Sequence, residues 1–309
     1  MSSSHSDPSH NALAALDRAA VWINSEPLTA EGLRGQVVAI DIGTYSCVNW
    51  LRTLPYVQAW DARYRDRGLV VVGVHSPEFG FEHEVDNVSR AVSELRIEYP
   101  VVLDNDFAIW RSLKNEAWPG LYLVDRDGRA RFRHFGEGAY EEIERTIQQL
   151  LGIDEQPASI DATGLAEAAD WDALGTGETY VGARRGVGRV ASPDDLALNE
   201  WAFSGDWRVE DESALLAHAG GSITFRFRAR DVNLVLAPPP SGAASRFAIR
   251  LDDHPPRDDH GLDIDDYGAG TLDEPRMYQL IRQADGAAER TCEITFLDAG
   301  VRAYVFTFG

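Results

Sequence analysis

The residue of this sequence best suited to chemistry is Cys47, in "GTYSCVNWLRTLPYV". There a short β-rich run, "VVAIDI" (37–42), gives way to helical periodicity, with Leu51, Leu54, Val57 and Trp60 on one face. A cysteine that opens a helix meets backbone N–H groups with no intrahelical partner, and these favour an anion by up to about 2 kcal/mol. The thiolate is the nucleophile of thiol chemistry, so this placement predicts a reactive Cys47; the alternative is a small thiol that only packs. One turn on, at i+3, a second thiol could attack a disulfide formed at Cys47. That position holds Trp50, which cannot. Exchange would then follow a monothiol scheme, with release by an outside low-molecular-weight thiol or protein thiol.

The other candidates have plainer readings. Cys292 alternates in register with Ile294 and Phe296, so it should face a β-sheet core. With two cysteines in the chain, a disulfide framework and a cysteine zinc site are excluded. Asp252, Asp253, Asp258, Asp259, His260, Asp263, Asp265 and Asp266 crowd one stretch, but without the ligand and glycine spacing of a calcium loop; they read as an Asp-rich turn, and no metal or cofactor is expected. His75 ends a strand and reads as structural, and Glu78 as a solvated loop residue that could reach the cysteine. Trp201, Trp207, Tyr267 and Tyr278 could stack on a saccharide, although aromatics of this kind are mostly core.

The 309 residues suggest two domains. A net charge of -21 with no basic run excludes nucleic acid as a partner. No segment approaches the roughly 20 apolar residues of a membrane helix, and the start lacks a basic end followed by an apolar core, so a cytoplasmic protein with no membrane partner is expected. Residues 1–20 are polar and expected to be disordered. From 21 to 151, strands at 37–42, 69–74, 100–103, 120–125 and 130–135 alternate with helices from Cys47 towards Gly68 and at 84–96, 106–113 and 139–151. That order describes an α/β domain with a mixed sheet. Residues 152–190, rich in Gly, Ala, Asp and Thr, read as a linker or arm that Trp171 and Tyr180 can anchor. From 191 to 309, period-two segments such as "SITFRFRARDVNLVLAP" and "TCEITFLDAG" predict an all-β, jelly-roll-like sandwich.

A strand ending in Asp41, a cysteine opening a helix, and a strand after Trp118-Pro119 together resemble the thioredoxin fold. More closely, "WINSEPLT", "TYSCVNWLRTLPYV", "GLVVVGVHSPEF", "YPVVLDND", "AWPGLYLVD", "HFGEG" and "GETYVG" resemble the thioredoxin-like domain of DipZ-type proteins, a TlpA-like branch. The segments "LNEWAFSGDW", "ARDVNLVL", "EPRMYQLIR" and "FTFG" are similar to the carbohydrate-module-like domain fused behind it there. Such relatives often carry a membrane-embedded portion ahead of the soluble part. The family pattern "FWTYSCxNC" has Gly43 in place of its Trp and Trp50 in place of its second Cys. The resemblance implies thiol oxidoreductase chemistry at Cys47. It also implies a buried acid at Asp41, which in the family serves the second cysteine, a cis Pro119 facing the nucleophile behind Trp118, and an acidic residue near the site at Glu78. A redox-inactive scaffold whose sandwich binds a saccharide or protein is the alternative. A second is a thiol peroxidase, because Thr44 and Cys47 form the Thr-x-x-Cys half of the peroxiredoxin motif; Ile40 stands where that motif has proline.

Overall fold

In a computed structural model that describes residues 12–309, the chain divides between Ala166 and Glu167 into two units. The first holds β1 (Trp22–Ile23), β2 (Val37–Gly43), α1 (Val48–Tyr64), β3 (Leu69–His75), α2 (Val85–Glu94), β4 (Val101–Leu103), α3 (Ala108–Leu113), β5 (Gly120–Val124), β6 (Ala130–Phe135) and α4 (Tyr140–Leu151). Its six-stranded sheet has the order β1-β4-β3-β2-β5-β6. β2 is central and buried along its whole length, as the continuous apolar run requires when helices cover both faces. It pairs parallel with β3, setting Asp41 beside Gly73 and Gly43 beside His75, and antiparallel with β5. The β5–β6 hairpin turns at Asp127-Gly128, where Gly128 has φ 83°.

Helix α2 buries Val88 and Val92, an i, i+4 pair. Helix α4 stops at Gly152, φ 76°, in the left-handed region where glycine carries no Cβ penalty. Two elements departed from expectation. Residues Ala12–Arg18, expected to be disordered, form a 3-10 turn that buries Ala12, Leu13, Ala15 and Leu16 in the core; residues 1–11 of that expectation lie outside the described residues. The two-residue β1, which pairs Trp22 with Val102, carries no periodicity to read.

The arm after α4 is not a free tether at its start. The Ala158 N–H donates to both carboxylate oxygens of buried Glu144, and Arg63 and Arg67 hold Glu155. Trp171, expected to anchor the arm, is 55% exposed; Tyr180 lies on β7 (Thr179–Tyr180), which pairs with the last strand.

The second unit is an antiparallel sandwich. One sheet comprises β15 (Arg276–Arg282), β12 (Asp231–Ala237), β17 (Arg302–Phe308), β10 (Ala214–Leu216) and β9 (Trp207–Val209) in that order, with β7 added against β17. The other runs β14 (Ala269–Leu272), β13 (Ser245–Leu251), β16 (Ala288–Phe296), β11 (Ser222–Ala229) and β8 (Trp201–Ser204). Alternate residues of β11, β13 and β16 turn inward, so Phe225, Phe227, Phe247, Ile249, Ile294 and Phe296 fill the core between the sheets.

Candidate functional site

Cys47 is the residue immediately before α1, and its backbone is extended (φ -84°, ψ 117°). The turn before it is closed by the Cys47 N–H to Thr44 carbonyl bond of 3.1 Å, and α1 starts with the Leu51 N–H to Cys47 carbonyl bond of 3.0 Å. The thiol is half-buried and outside any disulfide. Its Sγ lies 3.8 Å from the Trp118 carbonyl, to which the S–H donates. The Trp118–Pro119 peptide is cis, as the sequence expectation had it. The Trp118 indole N–H donates to the Ser76 carbonyl at 2.9 Å, and its ring meets Trp110 at 4.6 Å, so the residue before the proline is held from two sides.

Trp50 is 7% exposed and points at the end of β2. A Cβ placed on Gly43 would lie 2.1 Å from the Trp50 ring, so the indole occupies the space that any side chain at 43 would need. Gly43 and Trp50 are therefore complementary in volume. The indole N–H also donates to Asp41 Oδ2 at 2.9 Å. Asp41 is 1% exposed; burial pushes its carboxyl up to about 7, against the opposing effect of the Trp50 bond.

The acid packed against the cysteine loop is not Glu78 but Glu82. Glu78 is half-buried on the loop after β3, and its backbone N–H donates to Glu82 Oε2 at 2.5 Å. Glu82 is fully buried. It accepts from the Phe79 N–H at 3.0 Å and from the Ser46 hydroxyl at 2.5 Å, and so ties the residue before Cys47 to the 76–84 loop. Burial raises its carboxyl to about 7, opposed by the bonds from Ser46, Thr44 and the backbone. Thr44 is buried, with Oγ1 3.3 Å from His75 Nε2. His75 is also buried, and desolvation, with His83 nearby, drives its imidazole down to about 3. Glu82 escaped the sequence reading because it stands among other loop acids; the weak signal was a Glu three residues after Phe79 at the start of a helical turn.

In the sandwich, Cys292 is 1% exposed, opposite Phe225, and burial pushes its thiol up to about 12. Five of the aspartates are engaged by arginines and backbone: Asp252 and Asp259 with Arg290, Asp263 with Arg276, Asp266 with Arg257, and Asp265 with the Tyr267 and Ala269 N–H groups. Among the described residues no group of acids, histidines and cysteines is placed to hold a metal ion. Trp201 and Tyr278 are core, Trp207 is half-buried, and Tyr267 is exposed beneath Arg257.

The sheet order, the cysteine at the start of α1 and the Trp118 carbonyl against its thiol define a thioredoxin-like unit, followed by an antiparallel β-sandwich. Residues 176–309 match the family described as the thioredoxin like C-terminal domain. Over 313 residues the chain is 32% identical to Protein DipZ of Mycobacterium bovis and of Mycobacterium tuberculosis, covering 93% of this chain and 41% of those proteins. It thus spans about two-fifths of the length of these relatives. The thiol-disulfide oxidoreductase ResA of Bacillus cereus is 20% identical over 128 residues, 41% of this chain and 71% of ResA. A solved thiol-disulfide isomerase from Corynebacterium glutamicum aligns with 44% of this chain and 94% of its own, at 25% identity and TM-score 0.41. The first unit is a thioredoxin-like domain similar to those of thiol-disulfide oxidoreductases, and the chain has DipZ homologues.

Proposed function

We propose that this chain is a thiol-disulfide oxidoreductase working through one cysteine. The observation that carries this reading is the pairing at the start of α1: a half-buried Cys47 against the Trp118 carbonyl, and a buried Trp50, bound to Asp41, one turn away. In the reaction, the Cys47 thiolate attacks one sulfur of a substrate disulfide, the new S–S bond forms, and the substrate's other sulfur leaves as thiolate. An external thiolate, from a low-molecular-weight thiol or a protein thiol, then attacks the Cys47 sulfur and frees the substrate's second thiolate, and a second equivalent of that thiol restores the Cys47 thiolate and departs as the external thiol's disulfide. The electrons come from that external thiol. The helix end stabilises the Cys47 anion, and the segment before Pro119 offers its backbone to the substrate.

Maleimide labelling at graded pH, read by mass spectrometry, tests this. Cys47 of the folded protein should react at pH 6, whereas labelling confined to unfolded protein would put the redox-inactive scaffold ahead. For that second reading the sandwich offers one feature: the half-buried Phe203 and Trp207 rings stack at 4.8 Å with Arg189 over Phe203, a surface suited to a saccharide or protein ligand. Hydrogen peroxide consumption with a thiol donor separates off the peroxidase reading, in which Thr44 would have to serve Cys47; its hydroxyl is engaged with His75 and Glu82 instead.

A further inference from the structure

Between the sheet and α2 lies a cavity of about 20 Å³, whose wall is mainly apolar on the α2 side (Val88, Val92 and Leu95) and includes Asp41, Trp50, His75 and Tyr99. Asp41 Oδ1, His75 Nδ1 and the Tyr99 hydroxyl are all buried and lack a hydrogen-bond partner among the described residues. A buried polar group left unpaired costs about 1 to 3 kcal/mol, and a space of this size admits about one water, which makes two to four bonds. On the far side of the imidazole, His75 Nε2 meets Thr44 Oγ1, Thr44 bonds Glu82, and Glu82 holds Ser46, the residue before Cys47. Trp50 binds Asp41 Oδ2 and leaves Oδ1 without a donor among the described residues.

We propose that Asp41 and Glu82 are the two ends of one buried hydrogen-bond chain, completed by a single water in this cavity and running through His75 and Thr44, so that a proton passes between them and the charge beside Cys47 depends on Asp41. The transfer balances: the Asp41 acid gives its proton to the water, the water protonates His75 Nδ1, the Nε2 proton moves to Thr44 Oγ1, and the threonine hydroxyl proton goes to the Glu82 carboxylate. A neutral imidazole can do this by exchanging tautomers, and the burial of His75 keeps it neutral. Both carboxyls are held near neutrality by burial. In a dry interior, ionising the first opposes ionising the second, and bonded chains transmit that polarisation. His83, which acts on His75, Asp61, which acts on Tyr99, and Asp104, whose carboxyl burial raises and whose backbone N–H donates to the His75 carbonyl, also bear on the set, with Tyr45 stacked on His75 at 5.6 Å. Glu82, His75 and Thr44 act on Cys47 through Ser46 and are positioning residues.

This deepens the oxidoreductase reading of Cys47, but its test does not depend on it. In the full chain in D₂O, the infrared carbonyl stretch of protonated carboxylic acid should disappear in two steps around neutral pH. Asp41→Asn should raise the proton dissociation constant of Glu82 at least about threefold. In a His75→Phe background that effect should shrink; an undiminished effect would reduce the coupling to bare charge repulsion and overturn the chain. The unsubstituted protein gives two further decisions. No acid carbonyl band at pH 6 would overturn the proposal, as would a high-resolution crystal structure with a dry cavity; a water bonded to Asp41 Oδ1 and His75 Nδ1 supports it. Iodoacetamide alkylation of Cys47 should carry the same inflection and lose it in Glu82→Gln. A folded protein that does not alkylate at all would overturn the oxidoreductase reading, while the infrared coupling still decides the chain.

Discussion

Trp50 does two things that a small residue could not: it fills the volume over Gly43 and it gives Asp41 a donor. Gly43→Ala should therefore destabilise strongly for so small a change, by about 1 to 3 kcal/mol, because a rigid ring rather than a flexible tip blocks the methyl. In a Trp50→Cys background the same substitution should cost much less, and urea denaturation of the four proteins gives the coupling directly. Asp41 adds a pH dependence whose sign is unusual for a carboxylate. Its folded value, about 7, lies above the ordinary 3.8, so the folded state favours the neutral acid. The stabilisation is complete below about 3.8 and is lost as pH rises towards 7, at up to about 1.4 kcal/mol per pH unit in that window. Asp41→Asn should flatten the fall in stability between pH 4 and 7 relative to the unsubstituted chain; equal slopes would show that Asp41 is ionised throughout.

At the scale of elements, the helix that presents Cys47 is held at its far end by one buried carboxylate. Glu144 on α4 accepts from Tyr64 at 2.6 Å, from Arg63 at 3.1 Å and from Trp60 at 3.3 Å on α1, and from the Ala158 N–H at 2.9 Å. Glu144→Ala leaves these donors inside without an acceptor and should cost about 3 kcal/mol. The arm around Ala158 should also become a preferred site for limited proteolysis; an unchanged cleavage pattern would mean that Arg63 and Arg67 hold it through Glu155 alone. The helices and inner strands of this unit were legible in the sequence because each has a period: α1 in Leu51, Leu54 and Val57, β2 in an unbroken apolar run, and the β5–β6 hairpin in Asp-Gly. Cys47 was legible from its place at the start of a helix, and the cis proline for a different reason, a motif resemblance. What was not legible has no local signature. Leu13 and Leu16 sit in a polar stretch and owe their burial to the sheet they reach, and Glu82 is one acid among Glu78, Glu84 and Asp86 until the 76–84 loop folds over Ser46. Gly43 and Trp50 stood out in the sequence against the motif they resemble, but their packing and the bond to Asp41 needed the angle at which α1 leaves the sheet.

Over the whole molecule the two thiols stand in opposite situations. Cys47 stands half-buried at a helix end, where unpaired N–H groups favour its anion. Cys292 is sealed between Phe225 and the rest of the sandwich core, where burial pushes its thiol up to about 12. Thiolate fraction and access both favour the first, so the folded chain should titrate as one thiol with a disulfide reagent and as two once the sandwich unfolds. With Cys292 sealed in the sandwich core, oxidation should halt at a mixed disulfide or a sulfenic acid on Cys47. With oxidised glutathione the chain should gain one adduct, lose it to added thiol, and reduce insulin poorly. Trp50→Cys should return some dithiol activity, provided the vacated space over Gly43 does not cost the fold more than the new sulfur restores. Mass spectrometry settles the matter, since an oxidised chain lighter by two hydrogens would place Cys47 and Cys292 in one bond, and that result would overturn the single-cysteine scheme together with the sealed state of the sandwich core.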